Sequence, residues 1–221
     1  MDRRSVLLGL GAAALTGCAA PGSAVYQVVD SYRALDRAKK EYPFSREEIE
    51  GQPLGVLGVQ VEGGLKGIVV WSKREDAYDY WRSGNGVLLV TQAGRLIRTS
   101  GFPQDQLASR VVSGVETLGQ PLNQSQRYEV SRELDYLPDQ YGVEAVYRLE
   151  YSKNAQIQLL GRTLAVAEWK ETVSFPKSRR QWKQQIQIDQ ATGQVVRSIQ
   201  HVGPKMRVVL EQLKPAQVVS Q

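Results

Sequence analysis

The sequence predicts a mainly β protein: a large antiparallel meander that forms a sandwich or open barrel, with an N-terminal amphipathic helix. Two observations lead to this fold class. Apolar and polar side chains alternate along most of the second half of the chain, and short glycine-containing turn sequences separate these segments. Alternation with a period of two is typical of antiparallel strands that have one face in a core and the other in water.

The alternation is clearest between residues 143 and 188. Within this range, alternating segments lie at 143–151, 165–173 and 182–188. Turns are expected at 63–64, 84–86 and 191–193. Together these segments predict about a dozen strands with short connections. The first alternating run has these apolar residues on one face: Val143, Ala145, Tyr147, Leu149 and Tyr151.

The main helical signals lie in the first quarter of the chain. Ser45 and Glu48 have the spacing of a capping box, which predicts a short helix at 46–50. The segment 103–124 is interpreted as a loop within one domain, with a helical turn near 105–109. The amphipathic helix is predicted over 25–40, because its apolar residues fall at helical spacing: Val25, Val28, Val29, Tyr32 and Leu35.

The first residues have the form of a secretory signal peptide. Arg3 and Arg4 precede an uncharged apolar run at 6–15, which is too short to span a bilayer because that takes about 20 residues. The pattern predicts a signal peptide over residues 1–17. The paired arginines resemble a twin-arginine export signal, and the Sec route is the alternative.

The end of this signal resembles a bacterial lipobox. Small residues precede Cys18, on which a diacylglycerol and an N-acyl chain are expected. Several acyl chains together give stable membrane anchoring. Residues 18–24 then form a short lipidated tether, and 25–221 a single β-rich domain. Ala19 stands where an aspartate would favour the inner membrane, so we expect the periplasmic face of the outer membrane.

The composition is that of a folded globular protein with a small positive charge. The 221 residues are 42% hydrophobic and carry a net charge of +5, and this length is sufficient for a large core. The densest basic stretch, 177–183, suits contact with anionic polysaccharide or lipid headgroups, or is a solvated face. Export excludes a role with nucleic acid.

Several stretches occur in an order that resembles the YjbF family, the group 4 capsule polysaccharide lipoproteins. They are the lipobox with a helix soon after it, Trp81 followed by 86–101, the segment 188–200 and the segment 203–215. The resemblance implies an envelope lipoprotein linked to exopolysaccharide or capsule production and an all-β fold on a large meandering sheet. It supplies no catalytic residue, because no catalytic activity is established for the family.

Residues that usually supply a catalytic centre are few in this sequence. His201 is the single histidine, and as a general base it would need a serine or carboxylate partner; the alternative is a hydrogen-bonded strand histidine. Glu168 and Glu171 are three residues apart on a predicted strand, so they point to opposite faces. Cys18 is the only cysteine, and no cluster of metal ligands is evident. We therefore expect no enzyme, and no cofactor beyond the lipid.

Aromatic residues beside basic ones give two candidate contact sites for a glycan or a protein partner. An aromatic ring face matches the C–H face of a sugar, while the polar edge of the ring remains free to hydrogen-bond. The alternative is that the tryptophans belong to the core. The first cluster comprises Lys73, Arg74, Tyr78, Tyr80 and Trp81, and the second comprises Trp182 with Arg179 and Arg180.

The sequence thus favours a non-enzymatic lipoprotein that assists production, export or surface attachment of an exopolysaccharide. Its expected partners are membrane lipid through Cys18 and polysaccharide or polysaccharide export proteins. Two alternatives remain open: a lipid-anchored enzyme that modifies polysaccharide or cell wall, and an assembly factor that binds envelope proteins through an exposed strand edge.

Overall fold

The computed structural model describes residues 40–216, and one sheet of twelve antiparallel strands dominates them. The strands are β1 (Val56–Val61), β2 (Lys66–Glu75), β3 (Tyr78–Arg82), β4 (Leu88–Gln92), β5 (Arg95–Ser100), β6 (Gln106–Gly114), β7 (Arg127–Tyr136), β8 (Gln140–Leu159), β9 (Arg162–Phe175), β10 (Arg180–Asp189), β11 (Val195–Gly203) and β12 (Met206–Lys214).

The sheet is two meanders joined in the middle. Its order is β5-β4-β3-β2-β1-β12-β11-β10-β9-β8-β7-β6, so the first and last strands pair with each other. The two ends of the order, β5 and β6, are consecutive in the chain and lie against each other in a nearly closed barrel. The predicted antiparallel meander is confirmed, as a barrel rather than a sandwich.

Side chains rather than a backbone ladder join β5 to β6. The Gln106 side-chain amide donates to the carbonyl oxygens of Leu96 and Ile97 at 3.2 and 2.8 Å. The Gln106 backbone N–H donates to Oγ1 of Thr99 at 2.9 Å, and that hydroxyl in turn donates to Asp105. We call this contact between β5 and β6 the seam. In a fully closed barrel, the backbone carbonyl groups of β5 would instead accept hydrogen bonds from the backbone of the neighbouring strand.

Alternation along each strand gives the barrel its core. In β9 the side chains of Ala167, Trp169 and Val173 face inward, and on β10 Ile186 pairs with Trp169. The connection between β6 and β7, residues 115–126, also enters the interior, where Leu118 packs with Leu149, Trp169 and Ile186. We call this connection the plug, because it fills space between the walls of the barrel.

One short helix, α1 (Arg46–Gly51), packs on the outside of the barrel. The predicted capping box is confirmed: the backbone N–H of Glu48 donates to Ser45 Oγ, and the Glu48 carboxylate accepts from the Ser45 N–H. Ile49 is its buried residue and packs with Val56 and Leu213.

The connection 103–124 differs from its sequence-based interpretation. The helical turn expected near residues 105–109 is wrong, because Gln106–Gly114 is strand β6. The turns predicted at 63–64, 84–86 and 191–193 do connect successive strands. The predicted amphipathic helix, apart from its last position, lies outside the described residues, as do the signal peptide and Cys18. Between residues 40 and 216, no helix is long and apolar enough to span a membrane.

Candidate functional site

A cavity of about 360 Å³ opens at one end of the barrel. The turns after β2, β4 and β10 meet at this end, and the plug contributes Gly119 to the lining. Pockets of roughly 300–1,000 Å³ with a mixed lining are typical of small-molecule sites. The side chains that line it include Leu57, Arg74, Asp79, Trp81, Thr91 and Leu210.

The charged part of the lining is a fixed pair. Arg74 donates from Nε and Nη2 to the two carboxylate oxygens of Asp79, both at 2.8 Å. Trp71 Nε1 donates to the same carboxylate at 2.9 Å. These bonds to the Asp79 carboxylate raise the pKa of Arg74, although its partial burial opposes the rise. The fork geometry fixes the direction of both groups at the cavity.

The apolar part of the lining is built around Trp81. Its side chain is 3% exposed, and its Nε1 donates to Thr91 Oγ1 at 2.9 Å. Leu57 and Leu210, from the paired strands β1 and β12, contribute to the same wall. Trp81 therefore lies inside the barrel, at the cavity, and not on its outer surface.

The first predicted contact cluster is divided between two faces of the β2–β3 hairpin. Arg74 and Trp81 belong to the cavity, whereas the Lys73 ammonium lies 4.8 Å from the centroid of the Tyr80 ring. Tyr78 has the same parity on β3 as Tyr80. The structure thus brings Arg74 and Trp81 together, and separates them from Lys73, Tyr78 and Tyr80.

The second predicted cluster lies elsewhere. Arg179 and Arg180 stand at the start of β10, and the cavity borders the turn after its other end, roughly 30 Å away for ten strand residues. Both arginines are exposed, but Trp182 is 9% exposed and packs edge-on against Phe175 at 4.4 Å between ring centroids. Trp182 is therefore a core residue, which is the alternative that the sequence left open. Its buried ring does not offer an exposed face to a sugar.

His201 belongs to the same aromatic cluster. Its ring stacks on Trp182 with 4.7 Å between centroids, and its Nδ1 lies 3.4 Å from the Gly203 carbonyl oxygen. Burial lowers the pKa of this imidazole. These contacts agree with a hydrogen-bonded strand histidine rather than with a general base. Within the described ranges, His, Asp and Glu side chains form no group of three or more that would suit a metal ion.

A second polar centre lies deeper in the barrel and joins the plug to four strands. Arg95 on β5 binds both Glu171 on β9 and Glu116 at the start of the plug, with Nε 2.9 Å from Glu116 Oε2. Arg132 on β7 donates to the same Glu116 oxygen and to Ser109 Oγ at 2.7 Å. Each buried charge therefore has an opposite charge beside it, which is the condition for burying it.

The electrostatics of this centre favour the ionised form of Glu116. Burial alone would raise the pKa of Glu116, but Arg95 and Arg132 outweigh that effect and lower it. Burial also opposes the charge on Arg95, yet Glu171 and Glu116 raise its pKa. Burial raises the pKa of Tyr147, whose ring centroid lies 4.9 Å from Arg95 Cζ, to about 12. Arg95 and Glu116 thus hold fixed charges at neutral pH.

The model of one family matches residues 23–213 of the chain. It is described as group 4 capsule polysaccharide lipoprotein gfcB, YjbF. The chain belongs to this family. The resemblance noted from ordered stretches of the sequence is therefore confirmed, and it covers the barrel described above.

Matches to this YjbF-family chain come from Escherichia coli K12. The uncharacterized lipoprotein GfcB is 26% identical over 216 residues, which cover 96% of this chain and 99% of the relative. The crystal structure of the hypothetical lipoprotein YmcC is 21% identical, with a TM-score of 0.63, and the match covers 90% of this chain and 100% of that one. The likeness to YmcC shows the fold.

Sequence reasoning missed the deep polar centre, although a signal for it was present. Arg132 lies between Val130 and Leu134, which face inward on β7, and Glu171 has the inward parity of Trp169 on β9. A charged residue at an inward position requires a buried partner. The partners themselves are distant in sequence, so the alternation gives the positions but not the pairs.

Proposed function

We propose that the chain is a lipid-anchored envelope lipoprotein that assists production, export or surface attachment of an exopolysaccharide or capsule, without catalysing a reaction. The observation that carries this proposal is the family match over residues 23–213. The lipobox at Cys18 supplies the anchor, and the mature N-terminus would carry diacylglycerol and an N-acyl chain at the periplasmic face of the outer membrane.

The contacts of the interior polar groups support the non-enzymatic part of the proposal. Arg95 binds the carboxylates of both Glu116 and Glu171 inside the barrel, so both are engaged within the protein. His201 stacks on Trp182 within the core. General acid–base catalysis needs a group within hydrogen-bonding reach of the substrate and with a pKa near the working pH.

Gene deletion with complementation tests the proposal. We expect the deletion strain to lose surface polysaccharide or its retention, and the wild-type gene to restore it. Cys18→Ser should fail to restore it and should leave the membrane fraction, whereas Ser23→Ala in the tether serves as the matched control and should behave as wild type. Unchanged polysaccharide amount and retention after deletion would refute the proposal.

An assembly factor is a second candidate function, favoured by the exposed edge of β6. β6 pairs with β7 on one side. On its other side the first residues of β6 form the seam with β5, whereas residues 110–114 are exposed. Val112 is 65% exposed there, and Val115 just beyond the strand is 66% exposed. A sheet edge with exposed apolar side chains suits addition of a strand from another protein.

A charged substitution at this edge tests the second candidate. Val112→Lys should abolish co-purification of a polysaccharide export protein from native envelopes, because a lysine on the edge opposes strand addition. Leu65→Lys, in the exposed turn after β1, is the matched control and should retain it. Equal co-purification by both variants would eliminate the edge as the binding site.

A further inference from the structure

The cavity at the end of the barrel has two kinds of wall that face one space. Trp81 and Leu57 supply apolar surface, and Asp79 with Arg74 supplies ionised hydrogen-bonding groups. Ser198 and Gln212 add neutral polar groups to the lining. A purely apolar ligand would leave the polar groups desolvated without partners, which is costly, so the lining suits a ligand with both apolar and hydroxylated faces.

The Asp79–Arg74 pair is set in place before any ligand arrives. Three donors, two from Arg74 and one from Trp71, hold the Asp79 carboxylate at 2.8–2.9 Å. A carboxylate has about four acceptor positions and a guanidinium has five N–H donors, so both groups keep capacity for further bonds. Adjacent acceptor and donor positions match neighbouring hydroxyl groups, each of which donates and accepts.

The charged pair at the cavity is balanced, because the positive charge of Arg74 is matched by Asp79. Arg197 also borders the cavity, and it has Glu211 beside it on the outer face, with 3.2 Å between Arg197 Nε and Glu211 Oε1. Lys66 approaches the same carboxylate at 3.7 Å. A lining with matched charges offers little attraction to an anion, in contrast to an unpaired arginine. The ligand that fits is therefore uncharged.

We infer that this cavity binds a neutral sugar residue of a polysaccharide, with its hydroxyls toward Asp79 and Arg74 and its C–H groups toward the apolar part of the wall. The inference rests on the proposed function and adds the ligand class and its site. A volume of about 360 Å³ is sufficient for a sugar residue and lies within the range of small-molecule pockets.

Binding of simple glycosides to the full lipidated chain, held in a sugar-free detergent, tests the inference. The probes are methyl glucoside, methyl galactoside and methyl N-acetylglucosaminide, with glucuronate as the charged counterpart, and the readout is quenching of tryptophan fluorescence together with calorimetry. We expect millimolar binding of at least one neutral glycoside. Absence of binding by all three, or tighter binding of glucuronate, would overturn the inference.

Asp79→Asn is the central variant, and Glu75→Gln is its matched control. Both acids pair with a base of the same hairpin, but Glu75 pairs with Lys73 and lies outside the cavity lining. Asp79→Asn should weaken glycoside binding at least ten-fold, and Glu75→Gln should leave it unchanged. Equal binding by wild type and Asp79→Asn would overturn the inference.

A second variant covers the case in which Asp79→Asn unfolds, as monitored by thermal melting. Gln194 is exposed in the turn after β10 and lines the cavity. Gln194→Trp adds bulk at the mouth without touching the core, and it should reduce binding of the neutral glycoside. Unchanged affinity would again overturn the inference. If deletion alters surface polysaccharide while no glycoside binds, the lipoprotein function stands and the cavity assignment fails.

Discussion

Arg95 and Glu171 meet inside the barrel in a two-pronged ion pair, with Nη1–Oε2 and Nη2–Oε1 distances of 3.0 and 2.6 Å. Both side chains are 1% exposed. Arg95 belongs to edge strand β5 and Glu171 to β9 on the opposite wall. The pair therefore joins the two meanders across the interior, where water does not compete for the charges.

Arg95→Met should destabilise the protein strongly. The substitution leaves Glu171 buried without its partner, and loss of one member of a buried pair costs about 3–5 kcal/mol in the free energy of unfolding. The double variant Arg95→Met/Glu171→Leu should be more stable than Arg95→Met, because it removes the unpaired charge. Urea unfolding measures both.

Arg148→Met is the matched control for this pair. Arg148 binds Glu129 at 2.6 Å on the surface, where both side chains are about half exposed. Exposed pairs contribute about 0–1 kcal/mol, so this variant should be close to wild type. Equal losses for Arg95→Met and Arg148→Met would show that the interior pair has no special role.

Acid should loosen the plug through Glu116. Arg95 and Arg132 lower the pKa of this carboxyl against the effect of its burial, from an ordinary value of 4.5. Because the pKa of Glu116 is lower in the folded state than in the unfolded state, its ionised form stabilises the fold at pH values above 4.5. That contribution is lost as the pH falls through the folded-state pKa. The free energy of unfolding should therefore decrease below about pH 4.5, and less steeply in Glu116→Gln.

Urea unfolding at a series of pH values between neutral and about pH 3 measures this slope. Glu129→Gln is the control, because Glu129 pairs with Arg148 at the surface. It should keep the wild-type slope. An identical slope in Glu116→Gln and wild type would contradict the role of Glu116 as a charged anchor of the plug.

Gly58→Ala should displace Tyr42 from the outer face of β1. A Cβ atom at residue 58 would lie 2.5 Å from Tyr42 Cζ and 2.7 Å from Cε1. The Tyr42 hydroxyl donates to Glu211, and burial followed by the Glu211 charge raises its pKa above the ordinary tyrosine value. We expect the free energy of unfolding to decrease by about 1–3 kcal/mol. We also expect one additional tyrosine to titrate with the ordinary pKa of tyrosine, because Tyr42 would leave its buried position.

Gly67→Ala is the control for the tyrosine contact. Gly67 lies on neighbouring β2, and its nearest atom to an added Cβ is the Val59 carbonyl oxygen at 3.9 Å. This variant should keep the wild-type tyrosine titration, followed by absorbance. A wild-type titration in Gly58→Ala would show that the ring remains in place.

Gln106→Leu should open the seam between β5 and β6. It removes the donor to two buried carbonyl oxygens, those of Leu96 and Ile97, and an unsatisfied buried polar group costs about 1–3 kcal/mol. Backbone amides of β5 should then exchange hydrogen faster. Gln158→Leu, which loses an exposed bond to Thr163, is the control and should leave exchange in β5 unchanged.

Local patterns explain how much of the fold was predictable. The alternation in β8–β10 and the turn at 191–193 depend on residues close in sequence, so they could be recognised directly. β6 escaped recognition because its second half, residues 110–114, is exposed and contains a register shift between Val111 and Ser113. Such a strand has no alternation to detect.

The candidate cavity shows why the site was only partly predictable. The cluster around Trp81 was singled out from the sequence, but parity would place Lys73 on the face of Trp71. A bulge between Trp71 and Lys73 shifts the register, so that Arg74 and Asp79 become partners at the cavity. One extra residue in a strand exchanges its two faces.

The sequence by itself determined the antiparallel strands, their turns, the capping box and the resemblance to the family, because each depends on neighbouring residues or on ordered motifs. Only the tertiary structure decided which charges meet inside the barrel and which side of the β2–β3 hairpin faces the cavity. Arg95 and Glu171 stand 76 positions apart, and their pairing depends on closure of the whole sheet. Long-range closure and a single bulge leave no periodic signal in the chain.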